Sequence, residues 1–166
     1  SGDNNCHLVK FDVDFFRKRI PPKNLIKLLS DTEVSKIFHF ARFDLAIIKK
    51  FLDVSCENIF CTKIASKLVR TYTDKHGLKD LCKELLGIDL NKSQQSSDWS
   101  SEGLSNNQIN YAASDVIYLN KLKEKLVEML KREERLDLAN KVFTFLNTRV
   151  DLDILGWDGQ DIFSHS

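Results

Sequence analysis

Two aspartates and a tyrosine carry the chemistry this sequence is able to do. Asp115 lies in Tyr111-Ala112-Ala113-Ser114-Asp115-Val116-Ile117-Tyr118-Leu119, a stretch that reads as helix, and Tyr111 precedes it by four residues. That spacing stacks the two side chains on one face. The face continues through Tyr118 and Leu122, so the carboxylate is aimed at packed protein rather than at water. Asp44 falls in a second helical pattern, in which Phe40, Phe43, Ile47 and Ile48 form the expected inward stripe. A carboxylate taken out of water without a partner is costly, so it requires a cation, a metal or hydrogen-bond donors. One reading is a pair of structural acids satisfied inside the core; the other is a shared purpose. Several carboxylates holding two divalent cations about 3.5–4 Å apart cleave phosphodiesters at neutral pH. One cation generates hydroxide and the other stabilises the leaving oxygen. Oxygen ligands suit magnesium or manganese, and a tyrosine hydroxyl one helical turn from an acid is placed to orient the attacking water.

The elements that must position these groups follow from local signals. Ser105 and Gln108 fit a capping box, which starts the Tyr111 helix near Asn106. Upstream, Cys6 to Asp12 is a strand candidate, Pro21-Pro22 breaks the chain, and a short helix spans Lys23 to Ser30. Val34 to Phe40 is a second strand candidate, followed by the Asp44 helix. Ile59-Phe60-Cys61 is a short strand that enters a helix over Thr62 to Arg70, with Lys63, Lys67 and Arg70 along one face. That stripe is either a solvated surface or a track for phosphates. Leu78 to Leu86 is a helix closed by Gly87. Asn91 to Glu102 is a long polar loop, a length that favours function over spacing; its Trp99 is either a base-stacking platform or an anchor for the loop. One amphipathic helix or two run from Leu119 to Leu146, with Lys131 to Arg135 as a wet charged face. The tail from Arg149 to Ser166 holds too much apolar surface for a loose end and is expected to dock on its own domain or on a neighbouring subunit. The organisation is therefore a main domain over 1–148 and a docking tail over 149–166.

Bulk properties narrow the classes. The chain has 166 residues, 42% hydrophobic and 30% charged, a balance suited to one globular domain with a core. A net charge of +1 gives no strong field for a polyanion, so any nucleic-acid contact must use a local patch or metal ions. The four cysteines, Cys6, Cys56, Cys61 and Cys82, show no zinc-finger spacing and read as reduced thiols of a cytoplasmic protein. No apolar run is long enough to span a membrane and no signal peptide is visible.

The motifs resemble a known family. Tyr111-x-x-x-Asp115, preceded by His39-x-x-x-x-Asp44, is similar to the DEDDy 3′–5′ exonucleases, and Lys92-Ser93-Gln94-Gln95-Ser96-Ser97-Asp98-Trp99 resembles their RNase D branch. Cys61 to Leu68, Arg70-Thr71-Tyr72-Thr73-Asp74 and Leu155-Gly156-Trp157 resemble the nano-RNase C group most closely, and the likeness covers almost the whole chain. The resemblance implies an α/β, RNase H-like fold, a mixed sheet flanked by helices, and two-metal hydrolysis with Mg2+ or Mn2+ that releases 5′-mononucleotides from the 3′ end of short single-stranded RNA or DNA. It implies that Asp44 and Asp115 are metal ligands and that Tyr111 orients the nucleophilic water. It places His39, Arg42, Lys92, Gln95 and Trp99 near the substrate. It also implies a homo-octamer.

In one respect the sequence departs from the family. The first motif, Asp-x-Glu on an opening strand, supplies two of four acids and is not found among these residues. Asp31-Thr32-Glu33 has the letters but sits at a helix-to-strand turn, and Asp12-Val13-Asp14 is a poor substitute. The chain accordingly reads as lacking its N-terminal strands, and as a polypeptide it is expected to be impaired. The competing readings are a non-catalytic binding or assembly remnant of such an enzyme, and an RNase D that trims structured RNA. The last ranks lower, because the chain stops soon after its exonuclease portion.

Overall fold

The computed structural model describes residues 5–9, 11, 21–90, 97–99 and 103–165. Among these, helix α1 (Lys23–Ser30) leads to strand β1 (Lys36–Phe38), helix α2 (Ala41–Leu52), strand β2 (Ile59–Cys61) and helix α3 (Thr62–Val69). Helices α4 (Leu78–Leu86), α5 (Asn106–Ile117), α6 (Leu119–Arg132) and α7 (Leu136–Leu152) follow, and a π-helical turn spans Asp153–Trp157. The two strands pair in parallel, Lys36 opposite Ile59 and Phe38 opposite Cys61. Parallel pairing demands a crossover, and α2 supplies it. Helices cover the pair: α6 packs on β1 and α3, and α7 packs on β2 and α2.

The helices form where the pattern places them. Leu119, Leu122, Leu126 and Leu130 are the buried seam of α6, and Ala139, Phe143, Leu146 and Val150 that of α7, both at helical spacing. The Phe143 ring meets Phe60 of β2 with centroids 4.9 Å apart. Gly87 ends α4 at φ 69°, the left-handed conformation that glycine adopts without steric cost. The charged run Lys131–Arg135 is a helix break rather than a continuous wet face: Glu134 turns the chain at φ 55°, and Arg135 donates to the Leu68 carbonyl at 2.5 Å.

Two further expectations are corrected. Residues 5–9 and 11 are irregular, with Leu8 and Val9 exposed, so the described part of Cys6 to Asp12 is no strand. A strand needs a neighbour to take its backbone hydrogen bonds, and among the described residues β1 and β2 pair with each other alone. The inward stripe of α2 is Ala41 and Leu45, with Ile48 and Leu52 against the core, whereas Phe40, Phe43 and Ile47 are exposed. Phe40 does not begin the helix but precedes it at φ 72°, which rotates the stripe. Asp44 nevertheless keeps an inward position, three residues after Ala41 and four before Ile48.

Arg70 does not share the solvated face of Lys63 and Lys67. It is fully buried, donating to Ser66 Oγ at 2.9 Å and to the Lys75 carbonyl at 2.6 Å, and pairing with Glu84. Tyr72 also donates its hydroxyl to Glu84, and these bonds hold the Glu84 carboxyl below the usual range, Arg70 contributing most. The loop from Arg70 to Gly77 is thus built around one guanidinium, whose planar fork suits several acceptors at once. The tail is likewise tied by arginines: Arg42 and Arg149 both grip Asp153, Arg42 at 2.5 Å and Arg149 at 3.0 Å, and both reach the Asp158 carbonyl. Leu155, Trp157, Ile162 and Phe163 stay exposed.

Replacing Arg70 by alanine strands these acceptors and is expected to cost about 1–3 kcal/mol, as for buried polar groups left without a partner, while Lys63→Ala costs under about 0.5 kcal/mol, as at most surface positions. Urea denaturation of the two variants checks this; equal midpoints would contradict the structural role of Arg70.

Candidate active site

One cleft of about 620 Å³ brings together His39, Asp44, Tyr111 and Asp115. Ile37, Phe38 and His39 come from the carboxyl end of β1, Asp44 from the first turn of α2, Gly77, Leu78 and Lys79 from the start of α4, and Tyr111 and Asp115 from α5. The outer end of parallel strands is where α/β folds place ligands. The capping box fixes α5: Gln108 donates its backbone N–H to Ser105 Oγ at 3.3 Å, and the Ser105 N–H returns a bond to Gln108 Oε1 at 2.9 Å. The other end of the Gln108 amide donates to Ser97 Oγ and to the Asp98 carbonyl. One side chain therefore sets both the start of α5 and the loop beside it.

The electrostatics single out the two acids. Burial pushes the Asp44 carboxyl up to about 6. Burial also raises Asp115, against a hydrogen bond from Tyr111 that lowers it. The Tyr111 hydroxyl is raised in turn, first by burial and then by the Asp115 charge. Neither acid forms an ion pair with a lysine or arginine among the described residues. Behind Asp115 lies the buried Cys82, its thiol pushed up to about 11 by burial and then by the Asp115 charge. Desolvated carboxylates sharing an open cleft are hard oxygen donors of the kind that divalent magnesium or manganese takes. The described residues supply two such acids, and among them no cluster of three or more His, Cys, Asp or Glu side chains is placed to hold a metal.

His39 is neutral at physiological pH, held down to about 4 by burial and then by Lys63. Its tautomer follows from its neighbour. Thr62 donates its one hydroxyl hydrogen to the Phe38 carbonyl at 3.1 Å and contacts His39 Nδ1 at 2.9 Å. The hydroxyl must therefore accept from Nδ1–H, which leaves Nε2 as an acceptor on a residue that lines the cleft.

Of the other expected contacts, Trp99 and Arg42 do not line the cleft. Trp99 meets Tyr111 at a tilt, centroids 6.0 Å apart, so it anchors the loop against α5. Arg42 is taken by Asp153 and borders a different groove. Asp31-Thr32-Glu33 forms an exposed turn in which the Glu33 N–H donates to Asp31 Oδ1 at 2.9 Å. Lys92 and Gln95 fall outside the described residues. Lys79 is a cleft residue that the sequence reading passed over, because a lysine in the first turn of an amphipathic helix carries no spacing signal. It is half exposed and lies 3.7 Å from Asp89.

Residues 7–131 match the 3′–5′ exonuclease family, and the chain belongs to it. Within that family its likeness is to the DEDD-type exonucleases of the RNase D branch, close to NrnC. Ribonuclease D of Gluconacetobacter diazotrophicus is 41% identical over 110 residues, which cover 66% of this chain and 28% of that protein. The chain spans less than a third of the length of such curated relatives. The structure of Brucella melitensis NrnC is 55% identical with a TM-score of 0.83, covering 86% of this chain and 69% of NrnC. Structures of that protein with bound Mg2+ and bound to pGG superpose equally well, each with a TM-score of 0.82. The small parallel sheet and its helices are thus part of the RNase H-like fold of these exonucleases.

A carboxylate whose folded value is raised above its unfolded one favours the protonated protein, so its stabilising contribution is present at low pH and is lost as pH rises through the folded value. Asp44→Asn is therefore expected to stabilise the chain at pH 7.5 by about 1–3 kcal/mol and to change little at pH 3.5. Denaturant midpoints at the two pH values check the sign; destabilisation at pH 7.5 would show that Asp44 has a protein partner.

Proposed function

We propose that the chain is the main part of a metal-dependent 3′–5′ exoribonuclease that hydrolyses short single-stranded oligonucleotides, dinucleotides included, to 5′-mononucleotides. The observation that carries the reading is the meeting of Asp44, Tyr111 and Asp115 in one cleft, both acids desolvated and neither paired with a protein cation. Asp44 and Asp115 would hold Mg2+ or Mn2+, two ions in all once the remaining acids of the family's first motif are supplied. Bound there, such ions supply Lewis-acid stabilisation of the phosphate and a hydroxide at neutral pH. Tyr111, held against Asp115 by its hydrogen bond and against the loop by Trp99, orients the attacking water. His39 accepts a hydrogen bond at Nε2 from a sugar hydroxyl at the 3′ end. Lys92 and Gln95 belong to the same substrate contacts by resemblance. The binding of pGG by NrnC supports short substrates, as does the near-neutral charge, since few phosphates mean little counterion release. The exposed Leu155, Trp157 and Phe163 support assembly with further copies of the chain, an octamer by resemblance. No helix among the described residues is long and apolar enough to cross a membrane, and the free cysteines support a cytoplasmic setting.

The test is the full natural-length protein with a 5′-labelled diribonucleotide and Mn2+ or Mg2+. Release of 5′-mononucleotide is expected, and intact substrate with both metals would overturn the reading. Asp115→Asn is expected to lower kcat at least about a hundredfold and to weaken metal binding. Tyr111→Phe lowers kcat about a hundredfold through misplaced water and leaves metal binding unchanged; equal loss of metal in both variants would contradict these roles. A polypeptide of only these 166 residues, with two of the four acids, is expected to show traces of turnover, and robust turnover would overturn the four-acid account.

A further inference from the structure

The first turn of α2 carries Asp44, and local sequence does little to fix it. Phe40 enters the helix in the left-handed conformation, and no side chain caps the helix start. A capping side chain would ordinarily take up a free N–H there and fix the entry. Here the turn is gripped from the far end of the chain instead. The Nε–H and an Nη2–H of Arg42 donate to the two carboxylate oxygens of Asp153, at 2.5 and 2.7 Å, and Nη2 also donates to the Asp158 carbonyl at 2.8 Å. Arg149 of α7 holds the same Asp153 at 3.0 Å and donates to the Trp157 and Asp158 carbonyls, each at 3.1 Å. Lys49 lies two helical turns after Arg42, on the same face, and pairs with Asp151.

Residues two apart on a helix point about 200° from one another around its axis. Arg42 therefore faces the tail while Asp44 faces away from it, into the cleft that it lines with Tyr111 and Asp115. What holds one side of the turn sets the roll of the other. Ala41 and Leu45 bury the helix, but apolar contact has no direction. A two-pronged guanidinium–carboxylate pair fixes angle as well as distance. Neither Arg42 nor Asp153 lines the cleft, so any effect they have on it passes through the helix.

We propose that Arg42 and Asp153 are positioning residues for the metal site. Their pair sets the roll of α2, and with it the aim of the Asp44 carboxylate into the cleft. The tail thereby contributes to metal affinity without touching the metal. The proposal rests on the reading of Asp44 as a metal ligand and adds the tail to that site.

Calorimetric titration of the full natural-length protein with Mn2+, in the absence of substrate, tests this without turnover. Arg42→Gln and Asp153→Asn are each expected to weaken Mn2+ binding about tenfold, as when a group that orients a metal ligand is lost. Asp153→Asn keeps the shape of its side chain, so the test stands even where Arg42→Gln fails to fold. Because the two residues act as one pair, the double variant should bind Mn2+ no more weakly than Asp153→Asn alone. Arg42→Lys, which keeps one donor to Asp153, should recover part of the loss. Lys49→Gln cuts another tie between α2 and α7, farther from Asp44, and should leave Mn2+ binding unchanged. Unchanged Mn2+ affinity in Arg42→Gln and Asp153→Asn overturns the proposal, whatever becomes of kcat. Additive losses in the double variant, or an equal loss in Lys49→Gln, show general loosening of the tail and overturn it as well. If the unaltered protein binds no Mn2+, the reading of Asp44 as a metal ligand falls, and the proposal with it.

Discussion

The energetic cost of two acids without protein cations organises this molecule. Asp44 and Asp115 sit on different helices, and each is held partly out of water. Most folds avoid this, because a desolvated carboxylate gains nothing unless a positive charge arrives. Here the surroundings hold the acids in place rather than neutralise them. The arginines are spent elsewhere: Arg70 inside its loop, Arg42 and Arg149 on Asp153. The cleft remains a place where positive charge must come from outside, which is what a metal-dependent nuclease requires of its site.

Around that constraint the fold works as a set of clamps. Arg70 fixes the loop that delivers Gly77, Leu78 and Lys79 to the cleft wall. Gln108 fixes α5 and the loop that carries Trp99, and Trp99 in turn backs Tyr111. Thr62 selects the tautomer of His39 through a bond to the strand before it. Each clamp is a buried or half-buried group with its partners satisfied, and each holds a group, or the segment that carries a group, lining the cleft. Preorganisation of this kind removes reorganisation from the chemical step.

Much of this was legible in the residues. The capping box named the start of α5 because reciprocal bonds need Ser and Gln three apart, and the four-residue spacing of Tyr111 and Asp115 fixed their common face. The apolar stripe of α2 was misread because periodicity cannot reveal a left-handed residue at the helix entry: Phe40 is turned out, and Ala41 and Leu45 take its place inside. Asp44 survived that error, as it neighbours either stripe. The role of Arg70 was hidden because a buried guanidinium and a solvated one look alike in sequence; only its acceptors, drawn from α3, α4 and the loop between, tell them apart. The partner of Arg42 is hidden for the same reason, lying more than a hundred residues along the chain. The strand expected at Cys6 to Asp12 had the right composition, but pairing is a property of neighbours, not of a segment.

The most direct measurement is a Mn2+ titration of the isotope-labelled protein, read as paramagnetic broadening of backbone amide signals. The account predicts that substoichiometric Mn2+ broadens the amides around Asp44 on α2 and Asp115 on α5 together, before any others, and that excess Mg2+ reverses the effect. Broadening that begins at another acidic surface, or that reaches one of the two aspartates without the other, would contradict it.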